Sequence, residues 1–173
     1  SPAGPVFDEV KFRWLNGKYI REKLSDEDLL ARLKKYLTRQ ISDEVLTKVL
    51  PLIKERLEVL SDVNDLLAFL NPDEAIDIDL VRKQSKGKKS DEEIKTLLLA
   101  LRSSLKNDQD FTVTSIEQNI RGLKGKYKEW GGRDYFMTLR VVTTAFPVTP
   151  PLFESIEILG RDLVLKRIDS VLS

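Results

Sequence analysis

The chain has 173 residues, 41% hydrophobic and 33% charged, with a formal net charge of +1. That balance is globular, leaves room for one domain or two small ones, and excludes a bulk polyanion binder, so any nucleic-acid contact must come from local patches. Histidine and cysteine are both absent. Their absence removes the commonest general base, the thiol nucleophile, disulfides and the usual zinc ligands. No catalytic centre and no metal site are expected. Nor does any stretch approach the roughly 20 apolar residues of a membrane span. Ser1–Phe7 lacks the basic and apolar parts of a signal peptide. A cytoplasmic monomer that does not enter membranes is the expectation.

Helical spacing dominates the chain in order. Phe7–Lys23 holds Val10, Trp14 and Ile20, with Asn16-Gly17 predicting a break into two short helices. Ser25-Asp26-Glu27-Asp28 is a cap followed by first-turn acids, ahead of Leu29, Leu30, Leu33, Tyr36 and Leu37. Ser42-Asp43-Glu44 repeats the device before Val45, Leu46, Val49 and Leu50, and Pro51 bends or restarts the helix toward Leu57 and Leu60. Ser61-Asp62 opens another, which Asn71-Pro72 ends. Residues 73–90 read as a basic linker, mobile around Arg82–Lys89, with a short strand conceivable where Ile76, Ile78 and Leu80 alternate with Asp77 and Asp79.

Ser90-Asp91-Glu92-Glu93 caps a strong helix carrying Ile94, Leu97, Leu98, Leu101 and Leu105. Thr114-Ser115-Ile116-Glu117 opens the next, running to about Trp130, and Gly131-Gly132 breaks it. Asp134 starts a helix that continues through the β-branched run Val141–Thr144, a local objection that the flanking pattern outweighs. Pro147 and Pro150-Pro151 punctuate a loop before helices at Leu152–Gly160 and Leu163–Leu172. The fold class that follows is all-α, a two-lobed helical bundle. Residues 1–24 precede a first lobe at 25–72, and after the linker a second lobe occupies 91–173.

Two segments could carry binding chemistry. Residues 121–133 hold Arg121, Lys124, Lys126, Lys128 and Arg133 against one acid, with Tyr127 and Trp130 between them. Cations there would pair with phosphates while aromatic faces stack on bases; a basic helix with its aromatics turned into the core shares the pattern, and the residues leave both readings open. The proline-rich loop 146–153 is rigid and costs little entropy to order on binding. With Thr149 as N-cap, the amides of Leu152 and Phe153 would stand at the positive end of a helix, where exposed RNA bases could be read. A simple capped helix start explains the same residues and is the plainer reading. The acidic clusters at Asp26/Asp28, Asp43/Glu44 and Asp91–Glu93 all sit in first turns, where capping explains them. Gly87-Lys88-Lys89-Ser90 is no P-loop, because that motif needs a glycine where Arg82 stands.

Phe12-Arg13-Trp14-Leu15-Asn16-Gly17-Lys18-Tyr19-Ile20-Arg21, preceded by Phe7-Asp8, is similar to the segment that follows the catalytic domain of glutamyl-tRNA synthetases, in their stem-contact region. Leu139-Arg140-Val141 with Thr149-Pro150-Pro151-Leu152-Phe153-Glu154-Ser155-Ile156-Glu157-Ile158-Leu159-Gly160 resembles the same family's anticodon-binding region. Pro51-Leu52-Ile53-Lys54-Glu55-Arg56-Leu57 resembles its Glu-Arg helix. The resemblance implies an α-helical cage around the anticodon of the glutamate tRNA, tRNA(Glu), with Arg140, Thr149, Pro150 and Leu152 at the bases. It implies Arg56 as the reader of the last base and tRNA(Gln) as a second ligand of a non-discriminating parent. It also implies that ATP and magnesium serve the parent ligase and not this fragment, and that Ser1 is an expression remnant. Lys83-Gln84-Ser85-Lys86 is superficially similar to the lysine signature of class I synthetases, but its partner motif contains histidine. A helical cage of another class I synthetase, such as the lysyl enzyme, or a helical protein-interaction scaffold would share the overall pattern.

Overall fold

The structure, a computed structural model, describes residues 8–173. Ser1 and Phe7 of the first motif, with the residues between them, lie outside the described residues. Every regular element described is helical, and the chain folds as two compact units, Ser1–Ala68 and Phe69–Ser173. The all-α, two-lobed expectation therefore stands, with the division at 68/69.

In the N-terminal unit, α1 (Glu9–Lys23) is continuous through Asn16-Gly17, where a break was expected. Gly17 is buried, and a Cβ there would lie 3.1 Å from Leu57 O and 3.3 Å from Glu58 Cα. The glycine admits a neighbouring backbone rather than breaking the helix. Asn16 donates its side-chain amide to Glu58 O at the same crossing. Arg13 adds bonds to Glu58 at 2.7 Å and to Asp62 at 3.2 Å. Burial pushes the Asp62 carboxyl up, but the N–H groups of Val59 and Glu58 together with Arg13 outweigh it and hold Asp62 below the usual carboxylate range. Of the expected core positions on α1, Ile20 is buried, whereas Val10 and Trp14 are exposed.

The caps fall where expected. Ser25 accepts from Asp28 N–H ahead of α2 (Asp26–Leu33), and Ser42 from Val45 N–H ahead of α3 (Asp43–Ile53). Pro51 has no N–H for the i−4 carbonyl, and α3 lasts only two residues more before a 3-10 turn at Lys54–Arg56. The helix expected after Ser61 is short, α4 (Val63–Leu66), flanked by 3-10 turns at Leu60–Asp62 and Ala68–Leu70.

In the C-terminal unit the expected linker is packed structure. Residues 78–84 form α5 (Ile78–Gln84), with Asp77 capping Asp79 N–H at 2.9 Å. Val81 and Ser85 are fully buried, and α5 packs on α8. The alternation that suggested a strand is instead the entry to a helix: Ile76, Leu80 and Val81 pack on the core while Ile78 is exposed. The basic residues cover its outer face, and Arg82 pairs with Asp79 and Asp91. Hydrogen bonds from the guanidinium to those two carboxylates hold it above its ordinary pKa.

A reciprocal capping box joins Ser90 and Glu93 ahead of α6 (Asp91–Asn107), whose Leu97, Leu98, Leu101 and Leu105 are all fully buried. Thr112, two residues earlier than expected, caps α7 (Val113–Lys126). Asp108 shapes the turn between these helices. Its carboxylate accepts the N–H groups of Asp110 and Phe111, the latter at φ 50°, and the amide of Asn119. The remaining helices are α8 (Gly132–Thr144), α9 (Leu152–Leu159) and α10 (Arg161–Leu172). One apolar core runs through α6–α10, including Ile120, Tyr135, Leu139, Ile156 and Ile168, and each such side chain contributes about 1.5–3 kcal/mol on burial. The Tyr135 hydroxyl donates to Ile120 O at 2.8 Å, and burial raises its pKa. Arg167 on α10 is buried and donates to Phe69 O, Asn71 O and Thr143 O, tying the start of the unit to the end of α8.

Candidate nucleic-acid interface

The candidate site lies where α8 hands over to α9. The β-branched end of α8 stays helical because Val141 and Val142 are buried and the threonine hydroxyls bond back along the helix. Thr143 Oγ1 donates to Leu139 O at 2.8 Å, and Thr144 Oγ1 lies 2.6 Å from Arg140 O. Ala145 then stops the helix in a left-handed conformation, φ 69°, as C-terminal residues commonly do. Residues 146–151 return the chain to α9, with Leu152, the first helical residue, buried.

Thr149 is not the N-cap of α9. Pro151 holds that position without a side-chain cap, and Ser155 N–H bonds its carbonyl at 2.9 Å. Thr149 is buried, and its hydroxyl accepts from Arg140 Nη1 while donating to Pro150 O at 2.9 Å. Pro150 O also accepts from Arg140 Nη1 at 2.8 Å and from Ser155 Oγ at 3.2 Å. Arg140, Thr149, Pro150 and Leu152 are therefore brought together, nine to twelve residues apart in sequence. The arginine pins a loop that the prolines have already stiffened. Ser155 was not singled out in the sequence; its spacing of five from Pro150 carries no signal without the loop geometry.

Arg121 extends this cluster from α7. Its guanidinium carbon lies 5.7 Å from the Phe136 ring and 5.4 Å from the Phe153 ring, close enough for cation–π attraction to both, while Nε pairs with Glu117 at 2.7 Å. Phe136 and Phe153 meet edge to face at 6.5 Å. Phe136 stands one turn before Arg140 on α8, and Phe153 follows Leu152. Phe136 was read only as a core position because its spacing fits the core, and Phe153 entered the sequence reading through its backbone amide, not its ring.

The rest of the basic segment disperses. Lys124 is half-buried, 3.4 Å from Tyr127 O and 5.8 Å from the Tyr135 ring centre. Lys126 and Lys128 are exposed, and Arg133 sits 3.7 Å from Asp134. Trp130 is buried at 2% exposure with Lys89 over its ring at 5.3 Å, so it is no stacking platform for bases. Here the core-facing reading of the aromatics wins, because the turn after α7 folds the indole inward. Arg56 lies in the N-terminal unit on the exposed 3-10 turn that follows α3, not inside an α-helix. No group of three or more Asp or Glu among the described residues is placed to hold a metal ion, and no described helix is long and apolar enough to cross a membrane.

A family model described as an anticodon binding domain matches residues 28–172. The chain belongs to that family. Its relatives include the glutamate–tRNA ligase of Cutibacterium acnes, 35% identical over 96% of this chain and 35% of the relative. That of Acidothermus cellulolyticus is 36% identical over 97% of this chain and 34% of the relative. Among solved structures, a glutamate tRNA ligase from Elizabethkingia meningosepticum, crystallised with its amino acid, superposes on 98% of the chain and 33% of its own length. Its TM-score is 0.79 at 27% identity. This anticodon binding domain thus spans about a third of the length of the relatives it matches. The α8–α9 cluster falls inside the matched residues, whereas α1 precedes them.

Proposed function

We propose that this chain is the tRNA-selecting part of a glutamate–tRNA ligase and that it reads the anticodon of tRNA(Glu) at the α8–α9 junction. The observation that carries the reading is the locking of Arg140 onto Thr149 and Pro150 beside the start of α9. Unstacked anticodon bases expose hydrogen-bonding edges and flat faces. A guanidinium held in one orientation presents a planar set of donors to such an edge, and a loop stiffened by three prolines loses little entropy when a base arrives. Leu152 and Pro150 are buried beneath the loop and fix its shape, so that it meets a base without rearranging. Arg121 on its two phenyl rings lies along the same side, as a charge that pairs with phosphate or stacks on a base.

In this reading Lys126, Lys128 and Arg133 add phosphate contacts that carry no sequence information. Arg56 reads the last anticodon base, and its preference decides whether tRNA(Gln) is a second ligand. Aminoacylation, with its ATP and magnesium, belongs to the remainder of the longer ligase. The test is a binding comparison of glutamate tRNA transcripts altered at each anticodon base, run at one fixed salt concentration. Selective loss of affinity for altered anticodons supports the reading, and no binding of the unaltered transcript in low salt refutes it.

A further inference from the structure

A groove of about 700 Å³ runs between α6 and α7, outside the Arg140 cluster. Its walls include Ser103, Ser104 and Asn107 from α6 and Gln118, Gly122 and Lys126 from α7. No carboxylate lines it, although 28 of the 173 residues are Asp or Glu. Hydroxyls, amides and an ammonium are the donors that bind phosphate oxygens and ribose hydroxyls without regard to sequence.

The glycines of α7 point the same way. Gly122 and Gly125 are exposed in a helix, and a Cβ built on either meets nothing within 4 Å. Each costs about 1 kcal/mol of helix stability relative to alanine, and no internal contact requires either. An exposed helix surface without side chains lets another backbone approach closely. Arg121, next to Gly122, leans the opposite way onto Phe136 and Phe153. The exposed surface of α7 therefore separates the Arg140 cluster from the groove.

Building on the anticodon reading, we infer that the α6–α7 groove is a second RNA subsite. It holds the sugar–phosphate backbone of nucleotides flanking those read at α8–α9, and the strand crosses α7 over Gly122 and Gly125. The groove reads no base. It supplies affinity shared by every transcript, and α8–α9 supplies the selection.

Gly122→Leu fills the groove at a position with open space, so helix formation is not impaired, and Ser103→Glu places a like charge against phosphate from the opposite wall. Binding of the parent chain and both variants is measured with the glutamate tRNA transcript, with anticodon-altered transcripts and with a twelve-residue oligouridine. Each variant is expected to lose about tenfold in affinity for every probe, the scale of a lost charge-assisted hydrogen bond, with the ratio between anticodons retained and the melting temperature retained or, for Gly122→Leu, raised. Parent-like affinity of both variants for transcript and oligouridine overturns the inference. So does a loss confined to the unaltered anticodon, since the variants would then be acting at α8–α9. The anticodon reading fails separately, if the parent chain binds all transcripts alike; a parent chain that binds no RNA overturns both.

Discussion

Replacing Arg140 by alanine separates a base-reading arginine from one that merely braces its loop. In the structure Nη1 donates to Thr149 Oγ1 and Pro150 O. Truncation leaves Pro150 O with Thr149 Oγ1 at 2.9 Å and Ser155 Oγ at 3.2 Å, so that buried acceptor is not orphaned. The folding cost is the loss of charged hydrogen bonds at a half-buried site, about 1–2 kcal/mol. A lost base contact costs a further 1–3 kcal/mol, roughly 5- to 150-fold in affinity for the cognate transcript. Filter binding with transcripts altered at each anticodon position measures both affinity and selectivity. Arg140→Ala should bind the cognate transcript more weakly and compress its advantage over altered ones. Arg140→Lys, which keeps one charge but not the planar fork, should retain the melting temperature better than selectivity. Selectivity that survives in Arg140→Ala would refute base reading and leave the arginine as a brace.

Three further outcomes follow from the packing. Trp130→Ala should cost about 3–5 kcal/mol in stability because the indole is buried. RNA affinity measured well below the melting point should not change; lost affinity with intact stability would restore the stacking role. Gly17→Ala should destabilise by about 1–2 kcal/mol despite the better helix propensity of alanine, because the new methyl would press on the backbone of Leu57 and Glu58. A thermal melt at or above that of the parent would contradict the close approach. The third is acid sensitivity at Asp108. Burial pushes its carboxyl up, but hydrogen bonds from Phe111 N–H, Ser115, Asn119 and Asp110 N–H outweigh that and depress its pKa. A depressed carboxylate stabilises the fold above the ordinary aspartate value, near 4, and that stability is lost as pH falls through the lower folded value. Asp108→Asn should therefore be about 1–2 kcal/mol less stable at neutral pH and lose less between about pH 5 and 3. Parallel denaturation profiles for the two proteins would show that the carboxylate is not the source.

Local chemistry was legible in the residues. The caps at Ser25, Ser42 and Ser90 and the apolar face Ile94–Leu105 depend on neighbours within one or two helical turns, and all stand as expected. The resemblance of Thr149–Gly160 also pointed to the α8–α9 junction, which lies within the matched anticodon binding domain. Residues whose role depends on a distant segment were misread. Gly17 looked like a helix breaker because the backbone of Leu57 and Glu58, some forty residues on, was invisible. Residues 73–90 looked like a linker because their cations are conspicuous, whereas the buried Val81, Gln84 and Ser85 that dock them are not.

The sequence by itself determined the serine-capped starts of α2, α3 and α6, the apolar face of α6 and that histidine and cysteine chemistry is absent, since these follow from composition and short-range spacing. Tertiary structure alone decided that Trp130 is core, that Arg121 rests on Phe136 and Phe153, and that Thr149 serves Arg140 instead of capping α9. Each of these depends on which helices meet. Periodicity states that a face is buried, but not against what, and a side chain's chemistry is set by the atoms it finds there.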